Sequence, residues 1–119
     1  MINNFSKINI YEEPKIKSKL SSQILYGEKF KIIYKKKNWF KIKTSYDNYI
    51  GYIKNKKFKI KSNPTLKVNS LKSGIFKKVN GKFKKTNQFL YFASRVSKLQ
   101  EDNKFLEFEK NKWIKKKDL

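Results

Sequence analysis

Asn38-Trp39-Phe40-Lys41-Ile42-Lys43-Thr44-Ser45-Tyr46-Asp47-Asn48-Tyr49-Ile50-Gly51-Tyr52-Ile53-Lys54 decides how this chain folds. Phe40, Ile42 and Thr44 share one parity, while Trp39, Lys41 and Lys43 share the other. Successive side chains of an extended backbone point to opposite sides, so this alternation predicts a strand buried on one face only. A polar turn around Ser45, Asp47 and Asn48 leads into a return strand over 50–53 with Gly51 in its middle. Glycine inside a strand signals a bulge, a tight bend or a close backbone approach. The stretch therefore predicts a hairpin from a small, strongly bent sheet. Trp39 is left on the outward face, where a featureless surface has no need of an aromatic.

Upstream, residues 5–11 alternate Ile8 and Ile10 with polar residues, which predicts a short strand ended by Glu12, Glu13 and Pro14. Residues 16–22 read as a polar loop holding Ser18, Ser21 and Ser22. Gly27 before Glu28 marks a tight turn, and Phe30, Ile32 and Tyr34 then share one parity of a strand entering the hairpin. Downstream, the lysine-rich 59–65 with Asn63-Pro64 reads as a linker between domains at 1–58 and 66–119. The second part has candidate strands at 66–69 and 75–79, with turns at Gly74 and at Asn80-Gly81, the latter a strong hairpin signal. Apolar or alternating runs follow at 89–92, 95–99, 105–108 and 113–114. No window carries a sustained helical stripe, so the class is all-β.

The chain of 119 residues has a formal net charge of +22, with 38% hydrophobic and 16% aromatic residues. That apolar content is too high for a disordered chain. Residues 48–100 contain no Asp or Glu, so this window carries a positive field that attracts polyanions without selecting among them. Of the 31 basic residues only Arg95 is an arginine, which counts against bidentate recognition of phosphate or guanine. The lysines at 54, 56, 57, 59 and 61 beside Phe58 nevertheless leave a nucleic-acid-binding small barrel as the alternative reading. Codon bias toward Lys, Asn, Ile, Phe and Tyr accounts for the same profile with no ligand at all. With no Cys and no His, the chain lacks a disulfide framework, a thiolate, an imidazole base and the usual zinc ligands. Its glycines are isolated, so it has no phosphate-cradling loop, and no cofactor or metal is expected. No segment approaches the roughly 18 apolar residues of a membrane span, and no leader-like run opens the sequence, so a cytoplasmic location is expected.

Residues 6–58 resemble a bacterial SH3 domain. The resemblance is carried by Ile8-Asn9-Ile10-Tyr11, Pro14, the serine loop and Ser22-Gln23-Ile24-Leu25-Tyr26-Gly27-Glu28. It continues through Asn38-Trp39-Phe40-Lys41-Ile42 and Tyr46-Asp47-Asn48-Tyr49-Ile50-Gly51-Tyr52-Ile53. The pattern is similar to the domains at the front of NlpC-type, dipeptidyl-peptidase VI-like enzymes, which hydrolyse the γ-D-glutamyl bond to a diamino acid in cell-wall peptides. Residues 66–119 look like the paired second SH3 domain of those enzymes, through Phe89-Leu90-Tyr91-Phe92-Ala93-Ser94-Arg95-Val96 and the closing Trp113-Ile114 region. The resemblance implies two SH3-like barrels in tandem. It also implies a catalytic domain after Leu119 that this sequence does not contain, so the expectation is a non-catalytic binding module, free-standing or the front of a split gene.

By the same resemblance the expected partners are a cell-wall peptide and a peptidase catalytic domain, with non-specific polyanion binding beside them. Glu28 would supply charge to a free α-amino group and Tyr49 a hydrogen bond. Trp39 lines a groove or packs at the barrel rim, two readings the sequence leaves open. Asp47 caps its own turn, and Tyr46 and Tyr52 are expected part in the core and part at the rim. Ser18, Ser21, Ser22 and Ser94 have no histidine or nucleophile elbow to activate them.

Overall fold

A computed structural model describes residues 1–58 and 64–119. The chain divides into two compact units, Met1–Lys61 and Ser62–Leu119. Both are built from antiparallel sheets, in line with the all-β expectation. Among the described residues the one helical element is a 3-10 turn over Lys116–Asp118. Of the linker expected over 59–65, all but Pro64 and Thr65 lies outside the described residues.

The first unit holds β1 (Lys7–Tyr11), β2 (Leu20–Leu25), β3 (Phe30–Lys35), β4 (Trp39–Thr44) and β5 (Ile50–Lys54) in the order β2-β1-β5-β4-β3. The two edges, β2 and β3, are thus consecutive in sequence. A flat five-stranded sheet would hold them roughly 19 Å apart. Only Tyr26–Lys29 joins them, and that connection is folded tight: Gly27 has φ 81° and the Glu28 N–H donates to the Leu25 carbonyl at 3.1 Å. The sheet has to curl until its edges approach, which is the geometry of an SH3-like barrel. Ile8, Ile10, Ile24, Phe30, Phe40, Ile42, Ile53 and Phe58 fill the inside. Fully burying each such side chain stabilises the fold by about 1.5–3 kcal/mol before entropy is counted.

Gly51 explains itself at close range. A Cβ there would lie 2.3 Å from Ile10 Cγ2 and 3.1 Å from the Tyr11 carbonyl oxygen, so β1 crosses β5 where only glycine leaves room. The amino end is pinned as well. Ile2 bridges to Lys29, and the fully buried Asn3 donates from Nδ2 to the Ile24 carbonyl at 3.1 Å while its Oδ1 accepts the Phe5 N–H at 2.9 Å.

Two readings of this unit need correcting. Ser21 and Ser22 belong to strand β2 and not to a loop; β2 is an edge strand, where polar residues meet water on the open side, and the Ser21 hydroxyl donates to the Ile10 carbonyl. Tyr34 does not share the face of Phe30 and Ile32. A register shift between Ile32 and Tyr34 turns it outward, opposite Lys41.

The second unit holds β6 (Leu66–Lys67), β7 (Lys72–Val79), β8 (Lys82–Tyr91), β9 (Arg95–Val96), β10 (Gln100–Glu101), β11 (Phe105–Glu109) and β12 (Lys112–Lys115). Its main sheet runs β10-β11-β12-β7-β8, and β6 pairs with β9. With β6 and β9 set aside, both main sheets read second, first, fifth, fourth, third. The small pairs correspond too, since β6 and β9 occupy the places of Ile2 and Lys29 in the first unit.

The turns joining the edges carry corresponding hydrogen bonds. Glu28 Oε1 accepts the Leu25 N–H at 2.7 Å, and Ser94 Oγ accepts the Tyr91 N–H at 3.3 Å. The Asn80-Gly81 turn forms as expected, both residues left-handed at φ 51° and 76°. Gly74 is not a turn residue. It lies inside β7 opposite Phe89, next to a register shift. Asp118 closes this unit by accepting from Ser70 Oγ at 2.9 Å and from the fully buried Ser73 Oγ at 2.7 Å.

Candidate ligand-binding face of the first unit

The outer face of the first sheet carries a row of side chains set by register. Tyr11 on β1 pairs with Tyr52 on β5, Tyr52 with Lys41 on β4, and Lys41 with Tyr34 on β3. Tyr34 is present because of the shift after Ile32. Its hydroxyl lies 3.0 Å from that of Tyr52, and Lys41 Nζ sits 5.6 Å and 5.9 Å from the two ring centroids. The hydrogen bond with Tyr34, which the protonated Tyr52 phenol can donate, is the main reason that phenol is held above its ordinary pKa. Burial and the negative charges that Tyr34 and Glu13 can carry push the same way.

Trp39 extends this row at the start of β4. Tyr11 meets it edge to face, with ring centroids 5.5 Å apart. The half-buried indole forms one wall of an open cleft of about 710 Å³, with Pro14 and Ile16 beside it. The polar wall is made of Lys15, Lys17, Lys54, Asn38 and Asn55. Local structure places each of them. Lys54 is the register partner of Trp39, and the Asn55 N–H donates to the Asn38 carbonyl at 3.0 Å, closing the end of the hairpin. The loop after β1 is tied down by Ser18: its Oγ accepts the Glu13 N–H at 2.9 Å, and its N–H donates to the Lys15 carbonyl at 3.0 Å. A loop serine here orders the loop. The groove reading of Trp39 thus has a cleft to go with it.

Residues 10–58 match the family model of the bacterial dipeptidyl-peptidase SH3 domain. That part of the first unit is similar to this family of SH3 domains. No curated protein matches the chain. The matched residues of the SH3 domain run from the β1 residue Ile10 through Phe58, and so include the Trp39 cleft, the tyrosine row and the Glu28 turn.

Tyr52 shares the row that Trp39 extends, whereas Asp47, Tyr49 and Glu28 lie apart from Trp39. Asp47 closes its own turn: Thr44 Oγ1 donates to Asp47 Oδ1, and the Tyr49 N–H donates to Thr44 Oγ1 at 2.9 Å. Tyr49 is half-buried and packs on the core. This turn sits at the far end of β4 from Trp39, roughly 17 Å along an extended strand. Glu28 borders a different, shallow depression of about 480 Å³ with Leu20, Ser21, Ser22, Gln23 and Leu25. One of its carboxylate oxygens is already engaged by Leu25 N–H. Tyr46, expected partly in the core, is 85% exposed because it stands at the tip of the turn, while Tyr52 is half-buried on the outer face.

The second unit packs aromatic rings on its corresponding face. Phe76 and Phe105 meet edge to face at 5.1 Å, in the register positions of Tyr11 and Trp39. Phe83, on the β8 side of the long hairpin, stacks on Phe105 at 3.9 Å and 17° and meets Trp113 at 5.1 Å. The second unit keeps an open cleft of about 500 Å³ at the place corresponding to the Trp39 cleft, lined by Asn103, Lys104, Phe105, Lys115, Lys116 and Lys117. Sequence reasoning missed Tyr11, Tyr34, Lys15 and Lys17. Tyr11 was findable, since it shares the outward parity of Lys7 and Asn9; Tyr34 was not, because a bulge leaves no mark on alternation.

Proposed function

We propose that the chain is a non-catalytic recognition module for cell-wall peptides, working beside an NlpC-type peptidase catalytic domain. One observation carries the reading: within the residues matched to the dipeptidyl-peptidase SH3 family, Trp39 walls an open cleft with room for a short peptide. Aromatic walls give rigid contact area at low entropic cost. The second unit, with its repeated strand order, is a second SH3-like domain that braces the catalytic domain. The Glu28 depression is the place for a free α-amino group, with its second carboxylate oxygen as acceptor.

The test is titration of the whole chain with L-Ala-γ-D-Glu-diamino acid tripeptide, followed by tryptophan fluorescence. Trp113 is only 3% exposed, so a ligand-dependent change reports Trp39. Saturable binding that survives raised salt and disappears in Trp39→Ala is the expected result. Glu28→Gln keeps the oxygen that accepts from Leu25 but removes the charge, so weaker binding in that variant supports the amine site. A flat titration overturns the reading.

A second reading has its own observation. On the β7–β8 hairpin Lys77 stands directly opposite Lys84, with Lys78, Lys82 and Lys85 nearby, and none of them forms an ion pair among the described residues. Like charges across a ladder are destabilising, which favours an external polyanion such as nucleic acid on this hairpin. Oligonucleotide binding whose log affinity falls linearly with log salt, and which weakens in Lys77→Gln/Lys84→Gln, supports it.

A further inference from the structure

We infer that the Trp39 cleft selects its ligand through a carboxylate. The inference rests on the reading of the SH3 domain as a peptide-binding unit and adds the charge of the group it holds. Among the described residues no acidic one lines the cleft, whereas Lys15, Lys17 and Lys54 all do, and the side-chain amides of Asn38 and Asn55 add further donors. Lys15 is partly neutralised by Glu13, which lies 3.7 Å away with both groups well exposed. Lys17 and Lys54 make no ion pair among the described residues.

These ammonium groups are not scattered surface charge. Lys54 is fixed beside the indole by register, and Lys17 is carried on the loop that Ser18 ties together. An amine entering here would meet like charge from three lysines. A carboxylate would gain charge-assisted hydrogen bonds at the polar wall while the rest of the peptide lies on Trp39, Pro14 and Ile16. The acidic depression at Glu28 and this basic cleft share no residue, so amine and carboxylate recognition are separate features of one domain.

The test compares two probes on the whole chain: the L-Ala-γ-D-Glu-diamino acid tripeptide with free carboxylates, and the same tripeptide with every carboxylate converted to an amide. The acid form is expected to bind about tenfold more tightly at low salt, the size of one hydrogen bond to a charged group. That preference should vanish in Lys17→Gln/Lys54→Gln, whose positions are exposed and leave the core untouched. It should persist in Lys82→Gln/Lys84→Gln on the other unit, which lowers the net charge by the same amount. Equal binding of acid and amide overturns the inference while leaving peptide recognition standing. A preference that survives the first pair of substitutions, or is lost equally in the second, assigns it to the general lysine field and also overturns it. Binding of neither form removes the peptide reading itself, and the carboxylate assignment with it.

Discussion

At the scale of single residues, two positions turn geometry into measurable quantities. The space at Gly51 is already occupied by Ile10 and the Tyr11 carbonyl, and the nearer contact would be 2.3 Å for any Cβ. Gly51→Ala forces the β1–β5 crossing apart and is expected to destabilise the first unit by about 1–3 kcal/mol, read from the midpoint of urea unfolding. A neutral result would mean that β1 yields freely.

The second position is Tyr52. Because its pKa is raised in the fold, chiefly by Tyr34, the neutral phenol is the form the fold prefers. The associated stability is complete below the ordinary tyrosine pKa of about 10 and is lost as pH climbs through the raised folded value. Phenolate absorbance should show one tyrosine ionising late, and Tyr34→Phe should bring that step back toward the ordinary value. An unchanged step in Tyr34→Phe would assign the shift to burial or to Glu13.

At the scale of elements, the β4–β5 hairpin was legible because each of its features is local. Alternation fixed the inward Phe40 and Ile42, and Gly51 announced a close approach. The lysine-rich β8 was not legible: from Lys82 to Gln88 no side chain is buried, so neither period of burial can show. Nor could sequence alternation reveal that Phe83 stacks on Phe105, since that depends on where a hairpin folds back.

The paired edge turns make a further prediction at this scale. Gly27 and Ala93 occupy the same place with φ of 81° and 75°. An L-residue in this left-handed conformation costs about 1–2 kcal/mol, more than the extra entropy glycine loses on folding. Ala93→Gly should therefore stabilise the second unit by up to about 1 kcal/mol, seen as a higher midpoint of thermal unfolding. Destabilisation instead would show that the alanine methyl contributes packing that outweighs its backbone strain.

At the scale of the whole molecule, the dominant quantity is the net charge of +22. Two terms respond to salt in opposite directions. Ion pairs such as Lys15–Glu13 and Lys98–Glu101 are exposed and weaken with salt, but exposed pairs of this kind contribute little. Glu101, held below its ordinary pKa mainly by Lys116, belongs to the same class of surface pairing. Repulsion among the excess lysines acts over the Debye length of about 10 Å at 0.1 M salt and is relieved as that length shrinks. It reaches every lysine of the acid-free span 48–100, whereas pairing reaches only a few residues, so repulsion should win. Sodium chloride is accordingly expected to raise the thermal midpoint by several degrees between low and moderate ionic strength, since about 1 kcal/mol moves a domain of this size by about 4–8 °C. Chloride is the right probe, because sulfate also strengthens apolar burial and would mix the two causes. A midpoint that falls with added chloride would mean that the few pairs outweigh the field, and that the lysines are spaced too widely for the hairpin to need a polyanion.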